Sequence, residues 1–348
     1  MMITIHGFAK VFPVAVNYVV FYEYVFYGVG INNCQGLGSL GQKIRIGSRA
    51  SPLAVHQAHR AGKAIQMYAP DVTIEYVNIR TTGDTLYAVR LADFGGKGLF
   101  TKELEEALRD NRIDLALHSL KDMATRLPDG LPISAVMPRD DPRDAFVSNG
   151  YARFSDLPQY AVVGTCSLRR EAFSRLMRPD LQIVPFRGNV ETRLKKMASG
   201  EADATFLAAI GLERLGLKPC IREIMSTERM LPAVAQGAVA LQCRADDDVL
   251  ISLTKPLNHE QSYREVMAER AFLRHLDGSC RTPIAALAIT ENDQIRLEGA
   301  VIRPDGSEIF RDVIYGDVHD YARIGAHLGE IIRTRIGDRL RHDFRITL

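Results

Sequence analysis

Basic side chains gather at strand-to-helix turns. Gly47-Ser48-Arg49-Ala50-Ser51-Pro52 follows an apolar strand pattern, and Gly164-Thr165-Cys166-Ser167-Leu168-Arg169-Arg170 repeats the arrangement after Val162-Val163. The unpaired N–H groups that open such helices favour an anion, and Arg49, Arg169 and Arg170 add permanent positive charge there. Arg187 and Arg193 bracket a third junction, Arg214 lies just past the strand pattern at 204–207, and Lys97 sits in Gly95-Gly96-Lys97-Gly98. One such residue alone means only a solvated charge. An array at the carboxyl ends of strands implies a ligand with several carboxylates or phosphates. The nucleotide-binding pattern Gly-x-x-x-x-Gly-Lys-Ser/Thr is missing, which argues against a nucleoside triphosphate. Aromatic residues are not interleaved with the basic ones, which argues against single-stranded nucleic acid. Asp122 follows Lys121 just beyond another strand pattern. A carboxylate in a cationic cleft can stabilise a developing positive charge and move protons, or it can simply cap the next turn. Cys280 lies in Asp277-Gly278-Ser279-Cys280-Arg281-Thr282-Pro283. The neighbouring arginine favours a reactive thiolate, although a free, half-exposed cysteine fits the spacing as well.

The elements that must position these residues alternate. A strand at 43–46 leads to a helix through Leu53, Ala54, Ala58, Ala61 and Ile65, with Ser51 as its cap and Pro52 in its first turn. A strand follows at 72–79, then a helix opened by Thr101 with Leu104, Ala107 and Leu108 on one face, then a strand at 113–117. The order recurs: strand at 162–164, helix from Leu168, strand at 183–186, helix through Leu194 and Met197, strand at 204–207. Asn111-Arg112-Ile113-Asp114 and Gly200-Glu201-Ala202-Asp203 precede the third strand of each set. Strands alternating with helices predict mainly parallel sheets. Two such halves predict a cleft between them, with ligands at the carboxyl ends of the strands. Turn-rich stretches at 137–143 and 231–237 mark the crossings between halves, and the strand at 238–243 returns to the first. A helix at 262–275, a meander of strands at 284–290, 294–302 and 308–314, and an amphipathic helix with Ile324, Leu328, Ile331 and Ile332 complete the chain.

With 348 residues, 46% hydrophobic and 25% charged, the chain has ordinary globular composition and room for two or three domains. A net charge of +2 gives no overall field for nucleic acid. Arginine outnumbers lysine 34 to 10, and arginine is the better bidentate partner for carboxylate. Five cysteines without a Cys-x-x-Cys pair fit free thiols in a reducing compartment. No metal-binding His pattern is present. The run from Val11 to Ile31 has the length of a membrane span but carries Glu23 near its centre and no flanking basic cluster. It also lacks a clear small-x-small cleavage site. The reading favoured here is a start downstream of residue 2, with residues 1–42 outside the fold and the body beginning near Lys43.

From about Lys43 onward the sequence resembles the porphobilinogen deaminase (hydroxymethylbilane synthase) family. The resemblance rests on the stretches 46–54, Gly95-Gly96-Lys97-Gly98-Leu99-Phe100, His118-Ser119-Leu120-Lys121-Asp122 and Asp141-Pro142-Arg143-Asp144-Ala145. It continues through 164–170, Arg187-Gly188-Asn189-Val190-Glu191-Thr192-Arg193-Leu194, Gly211-Leu212-Glu213-Arg214-Leu215-Gly216, Gln236-Gly237-Ala238-Val239 and Cys280 in its loop. The resemblance implies a cytoplasmic, monomeric transferase of tetrapyrrole and heme biosynthesis. It would join four porphobilinogen units head to tail with loss of ammonia, then release the linear tetrapyrrole by hydrolysis. It implies a dipyrromethane cofactor tied by a thioether to Cys280, and Asp122 as the catalytic carboxylate. It further implies that Arg49, Ser51, Lys97, Lys121, Ser167, Arg169, Arg170, Arg187, Arg193 and Arg214 hold carboxylates of cofactor and substrate, with Phe100 an aromatic near the site. No metal, nucleic acid or membrane partner is implied.

The fold implied is α/β with three domains. Two lobes resemble type II periplasmic binding proteins and have mainly parallel sheets; the third is a small α+β domain with a three-stranded antiparallel sheet. The expected boundaries are 43–137 with 238–256 for domain 1, 143–231 for domain 2 and 260–348 for the C-terminal domain carrying the cofactor cysteine. Four positions depart from the family pattern: Asp93 for a basic residue, Ser279 for glycine, Ala235 for the first glycine of Gly-Gln-Gly, and Cys166 for a small residue. Two alternatives stand beside this reading, a non-catalytic two-lobed solute-binding protein and a deaminase relative that loads no cofactor.

Overall fold

The computed structural model describes residues 43–85, 98–276 and 282–340, all within one compact unit. The apolar run at 11–31 and the positions Asp93, Lys97, Ser279 and Cys280 lie outside the described residues.

The chain opens with β1 (Lys43–Arg49) and α1 (Pro52–Tyr68). Ser51 caps α1 by accepting from the Ala54 N–H at 3.4 Å. β2 (Thr73–Ile79) pairs parallel to β1 from Lys43 opposite Thr73 to Arg49 opposite Ile79. α2 (Thr82–Thr85) and α3 (Lys102–Arg109) follow, α3 burying Leu104, Ala107 and Leu108 as its spacing predicts. β3 (Leu115–Ser119) and β4 (Ile133–Val136) complete the first pass. The chain then crosses to a second sheet as β5 (Asp144–Ser148) and builds β6 (Val162–Gly164), α4 (Leu168–Met177), β7 (Gln182–Val184), α5 (Val190–Ala198), β8 (Ala204–Ala208), α6 (Ala209–Arg214) and β9 (Glu223–Ile224). It returns to the first sheet as β10 (Val239–Gln242), followed by α7 (Asp248–Thr254).

The two sheets have the same plan, β2-β1-β3-β10-β4 and β7-β6-β8-β5-β9. In each, the fourth strand runs antiparallel to both neighbours and is supplied by the chain as it arrives from the other sheet. This makes two lobes joined by two crossings. Gly237 in the second crossing has a φ of 90°, and a Cβ there would collide with the Asp140 carbonyl oxygen of the first.

The weak repeat in the sequence is a shared clamp. Asp114 accepts from the Arg45 N–H at 2.8 Å and donates its own N–H to the Arg45 carbonyl at 2.9 Å. Asp203 does the same to Val162, at 2.7 and 2.8 Å. Both follow a helix that ends in a left-handed residue, Asn111 (φ 54°) or Gly200 (φ 79°). The clamp and its turn explain why β3 starts at Leu115 and not at Ile113. β4, β5 and β9 have only two to five residues, too short for their periodicity to be read.

The C-terminal part carries α8 (Glu260–His275), the antiparallel meander β11 (Ile284–Glu291), β12 (Gln294–Ile302) and β13 (Ile309–Asp317), and α9 (Tyr321–Leu340). α9 lies close on α8, where a Cβ on Gly325 would strike the Ala268 carbonyl oxygen. Val266, Ala268 and Phe272 of α8 share one apolar core with Val136, Val234 and Ala235 at the crossings, and Ala285, Leu287, Ala300 and Ile302 share another with Phe146 and Phe154 of the second lobe. Glu269, fully buried, accepts from Arg139 of the first crossing at 2.5 and 3.2 Å, from Ala235 N–H of the second at 2.6 Å and from Ala288 N–H of β11 at 2.8 Å. One carboxylate thus ties both crossings to the third sheet.

Candidate active site

A cavity of about 640 Å³ lies between the carboxyl ends of the strands of the two lobes. Its first-lobe wall includes Arg49 at the end of β1, Ser119 at the end of β3, and Lys121 and Asp122 just after it; its second-lobe wall includes Cys166 after β6, Arg170 of α4, and 187–193 leading into α5. Among the described residues, six basic side chains line it (Arg49, Arg80, Lys121, Arg170, Arg187, Arg193) against three acidic ones (Asp84, Asp122, Glu191).

Arg49 organises the first-lobe wall. Its Nη1 lies 3.9 Å from Asp122 Oδ2. Nε and Nη2 donate to Asp84, and the guanidinium sits 4.2 Å over the Phe100 ring. Asp84 is fixed further by the Thr81 N–H at 3.3 Å and the Thr81 hydroxyl at 2.8 Å. Burial alone would raise the Asp84 carboxyl; Arg49 and Thr81 outweigh it and hold the group below its ordinary value. Asp122 follows β3 on a short 3₁₀ turn and is about one-third exposed, so a ligand can reach it.

Lys121 is the neighbour of Asp122 but points to a different environment. Its Nζ donates to Gln236 Oε1 at 3.3 Å, and burial pushes the ammonium down to about 8 against the pull of Asp122. Gln236 in turn donates to the Pro142 carbonyl at 2.6 Å and to Asp144 Oδ1 at 3.2 Å. Asp144, fully buried at the start of β5, receives Arg169 Nη2 at 2.7 Å on one oxygen and Arg170 Nε and Nη2 at 3.1 and 2.7 Å on the other. Burial would raise this carboxyl, but the two guanidiniums dominate and hold it well below the usual carboxylate range. Arg170 also donates to the Phe206 carbonyl and still lines the cavity; Arg169 donates to the Leu231 carbonyl and stands behind the wall.

The remaining expected residues divide the same way. Ser51, Arg187 and Arg193 line the cavity. Arg193 donates from Nε to the Gly188 carbonyl at 2.9 Å, and burial, aided by Arg170, lowers its guanidinium to about 10. Ser167 caps α4 through the Arg170 N–H at 3.4 Å and is not among the lining residues. Arg214 pairs with Asp140, which also receives Arg60 Nη1 at 3.2 Å, so it joins α6 to the first crossing and α1 outside the cavity wall. Cys166 lines the cavity, and its Sγ accepts from the Phe186 N–H at 3.2 Å. Lys97 and Cys280 lie outside the described residues. Sequence reasoning assigned no role to Arg80, Asp84, Gln236 or Asp144. Asp144 stood in a recognised stretch, but nothing local marks a buried partner for two arginines.

A family model described as porphobilinogen deaminase, dipyromethane cofactor binding domain, matches residues 44–252, and the porphobilinogen deaminase C-terminal domain matches residues 263–334. A porphobilinogen deaminase of Paracoccus denitrificans is 50% identical over 295 residues, covering 84% of this chain and 94% of that protein. Among solved structures, an ABC transporter periplasmic substrate-binding protein from Coxiella burnetii superposes with a TM-score of 0.41 at 14% identity, over 65% of this chain and 94% of its own. A nutrient binding protein from Burkholderia cenocepacia gives 0.39 at 13% identity, over 66% and 94%. The two-lobed description rests on the sheet order itself. With both family models matched in order and half the residues shared with a curated relative, the chain belongs to the porphobilinogen deaminase family.

Proposed function

We propose that this chain is a hydroxymethylbilane synthase, joining four porphobilinogen units head to tail with loss of ammonia at each step and then releasing the linear tetrapyrrole by hydrolysis. The observation that carries this reading is Asp122 beside Arg49 in a cavity lined, among the described residues, by six basic side chains. Those cations fit a dipyrromethane with its four carboxylates, and the volume lies within the usual range for small-molecule sites of about 300–1,000 Å³. When bound, tethered to Cys280, that group supplies the pyrrole carbon on which the first substrate unit is joined.

The chain's own residues do the rest. Asp122 faces the positive charge that develops on a substrate pyrrole as ammonia departs, and its carboxylate oxygens take up the displaced ring proton. Arg49, 3.9 Å away, orients that carboxylate. Lys121, Arg170, Arg187, Arg193, Ser51 and Lys97 hold carboxylates of cofactor and substrate. Arg169, Ser167 and Arg214 shape the wall from behind, through Asp144, the α4 cap and Asp140.

The domain division is 43–137 with 238–256, 143–231 and 260–348. The two lobe sheets and the separate meander support it. No described helix is long and apolar enough to cross a membrane, and we place the enzyme in the cytoplasm as a monomer. Intact mass tests the reading. The protein should carry two linked pyrrole units that Cys280→Ser lacks. An unmodified mass that persists after incubation with porphobilinogen would favour an unloaded relative.

A further inference from the structure

We infer that Arg80 binds a carboxylate of the incoming porphobilinogen at the outer edge of the cavity, and so helps select a pyrrole with two acidic arms; this rests on the deaminase reading above. Arg80 follows Ile79, the last residue of β2, which pairs with Arg49 of β1. It therefore stands at the carboxyl end of the edge strand, on the cavity lining, one step from the Arg49–Asp84–Asp122 wall. Its base is firm, because Thr81 is buried and bonded twice to Asp84.

What separates Arg80 from the other lining arginines is its lack of a partner among the described residues. Arg49 is held by Asp84 and Asp122, Arg170 by Asp144 and the Phe206 carbonyl, and Arg193 by the Gly188 carbonyl. Arg187 is also engaged. Arg80 makes no hydrogen bond or ion pair with any described residue. A guanidinium is charged at every working pH and presents a planar fork of donors that matches a carboxylate.

The charge count supports the same role. Two carboxylates of the lining already occupy Arg49, and Asp144 occupies Arg170 from behind. A dipyrromethane alone would bring four carboxylates and each added pyrrole two more. A further ring therefore needs a cation that the protein has not already neutralised, and one that solvent and substrate can reach. Arg80 is exposed at the cavity wall and meets both conditions.

The test is steady-state ammonia release by wild type, Arg80→Gln and Arg80→Lys, with porphobilinogen and with each of its two monomethyl esters. For a partly exposed charge-assisted contact, Arg80→Gln should raise KM roughly three- to tenfold while kcat changes less than about twofold. The increase should shrink in about 0.5 M salt, Arg80→Lys should recover part of it, and it should vanish for the ester lacking the contacted carboxylate. A KM unchanged within about 1.5-fold, or an equal increase for the acid and both esters, overturns the inference. If wild type with its cofactor releases no ammonia, the deaminase reading fails instead. Arg80 is then judged by porphobilinogen binding in calorimetry, where equal Kd for wild type and Arg80→Gln overturns it.

Discussion

Replacing Asp144 with asparagine removes one charge on which two buried cations depend. Arg169 and Arg170 are each more than nine-tenths buried, and both donate to this carboxylate at 2.7 Å. The amide keeps one acceptor oxygen, so some hydrogen bonding survives, but beyond it the guanidiniums have the Leu231 and Phe206 carbonyls and no charge to balance theirs. Removing one member of a buried ion pair costs about 3–5 kcal/mol, and two stranded cations put Asp144→Asn in the upper half of that range. Arg169→Leu should cost less, about 1–3 kcal/mol, since Asp144 keeps Arg170. The double variant should lose less than the sum of the two. Urea denaturation followed by circular dichroism reads all three. The sign of the pH effect is fixed: the native carboxyl is held low, so its contribution is present above the unfolded value of about 3.9 and is lost as pH falls toward the native value. The wild-type advantage should be full at pH 7 and shrink below about pH 4. A loss under about 1 kcal/mol at pH 7, or strict additivity in the double variant, would refute the idea that Asp144 neutralises both guanidiniums.

Asp122→Asn should keep the fold and any bound cofactor mass yet lose most ammonia release; near-normal product formation would remove Asp122 from its role. Ala235 holds a φ of 58° while its methyl group is buried. Ala235→Gly relieves about 1–2 kcal/mol of left-handed strain but gives up about 0.8 kcal/mol of methyl burial and about 0.4–1 kcal/mol of chain entropy, so thermal unfolding should find it within about 1 kcal/mol of wild type. Ala235→Val, β-branched at the same φ, should lose more than about 2 kcal/mol, and a comparable loss in the glycine variant would show that packing outweighs strain. Burial lowers the Lys121 ammonium to about 8. The cost of burying its charge is thus complete below that pH and falls as pH rises toward the ordinary lysine value of about 10.4. Lys121→Met should therefore gain stability at pH 7 and gain less at pH 10 in paired denaturation curves; a gain that grows with pH would contradict the burial argument.

Signals that act over a few residues were legible in the sequence. Ser51 caps α1 as read from its place before Pro52, and the structure adds Ser167 and Asn189 as caps of α4 and α5, each accepting from the N–H three residues on, because capping needs only a short polar side chain at the right offset. The strand–helix alternation, the two crossings and the final meander follow from the same local patterns. So does the gathering of Arg49, Lys121, Asp122, Arg187 and Arg193 on one cavity, since all stand at the carboxyl end of a strand or on the turn and helix that follow it. The partner of each charge was decided only by tertiary structure. Arg169 and Arg170 are adjacent in sequence, yet one lines the cavity and one lies behind it, both held by Asp144 across 25 and 26 residues. Arg139 meets Glu269 across 130 residues, and Arg214 meets Asp140 across 74. A guanidinium has no local preference among carboxylates. Which one it pairs with depends on the surfaces that hydrophobic burial brings together, and on the desolvation that makes an unpaired charge there too costly to keep.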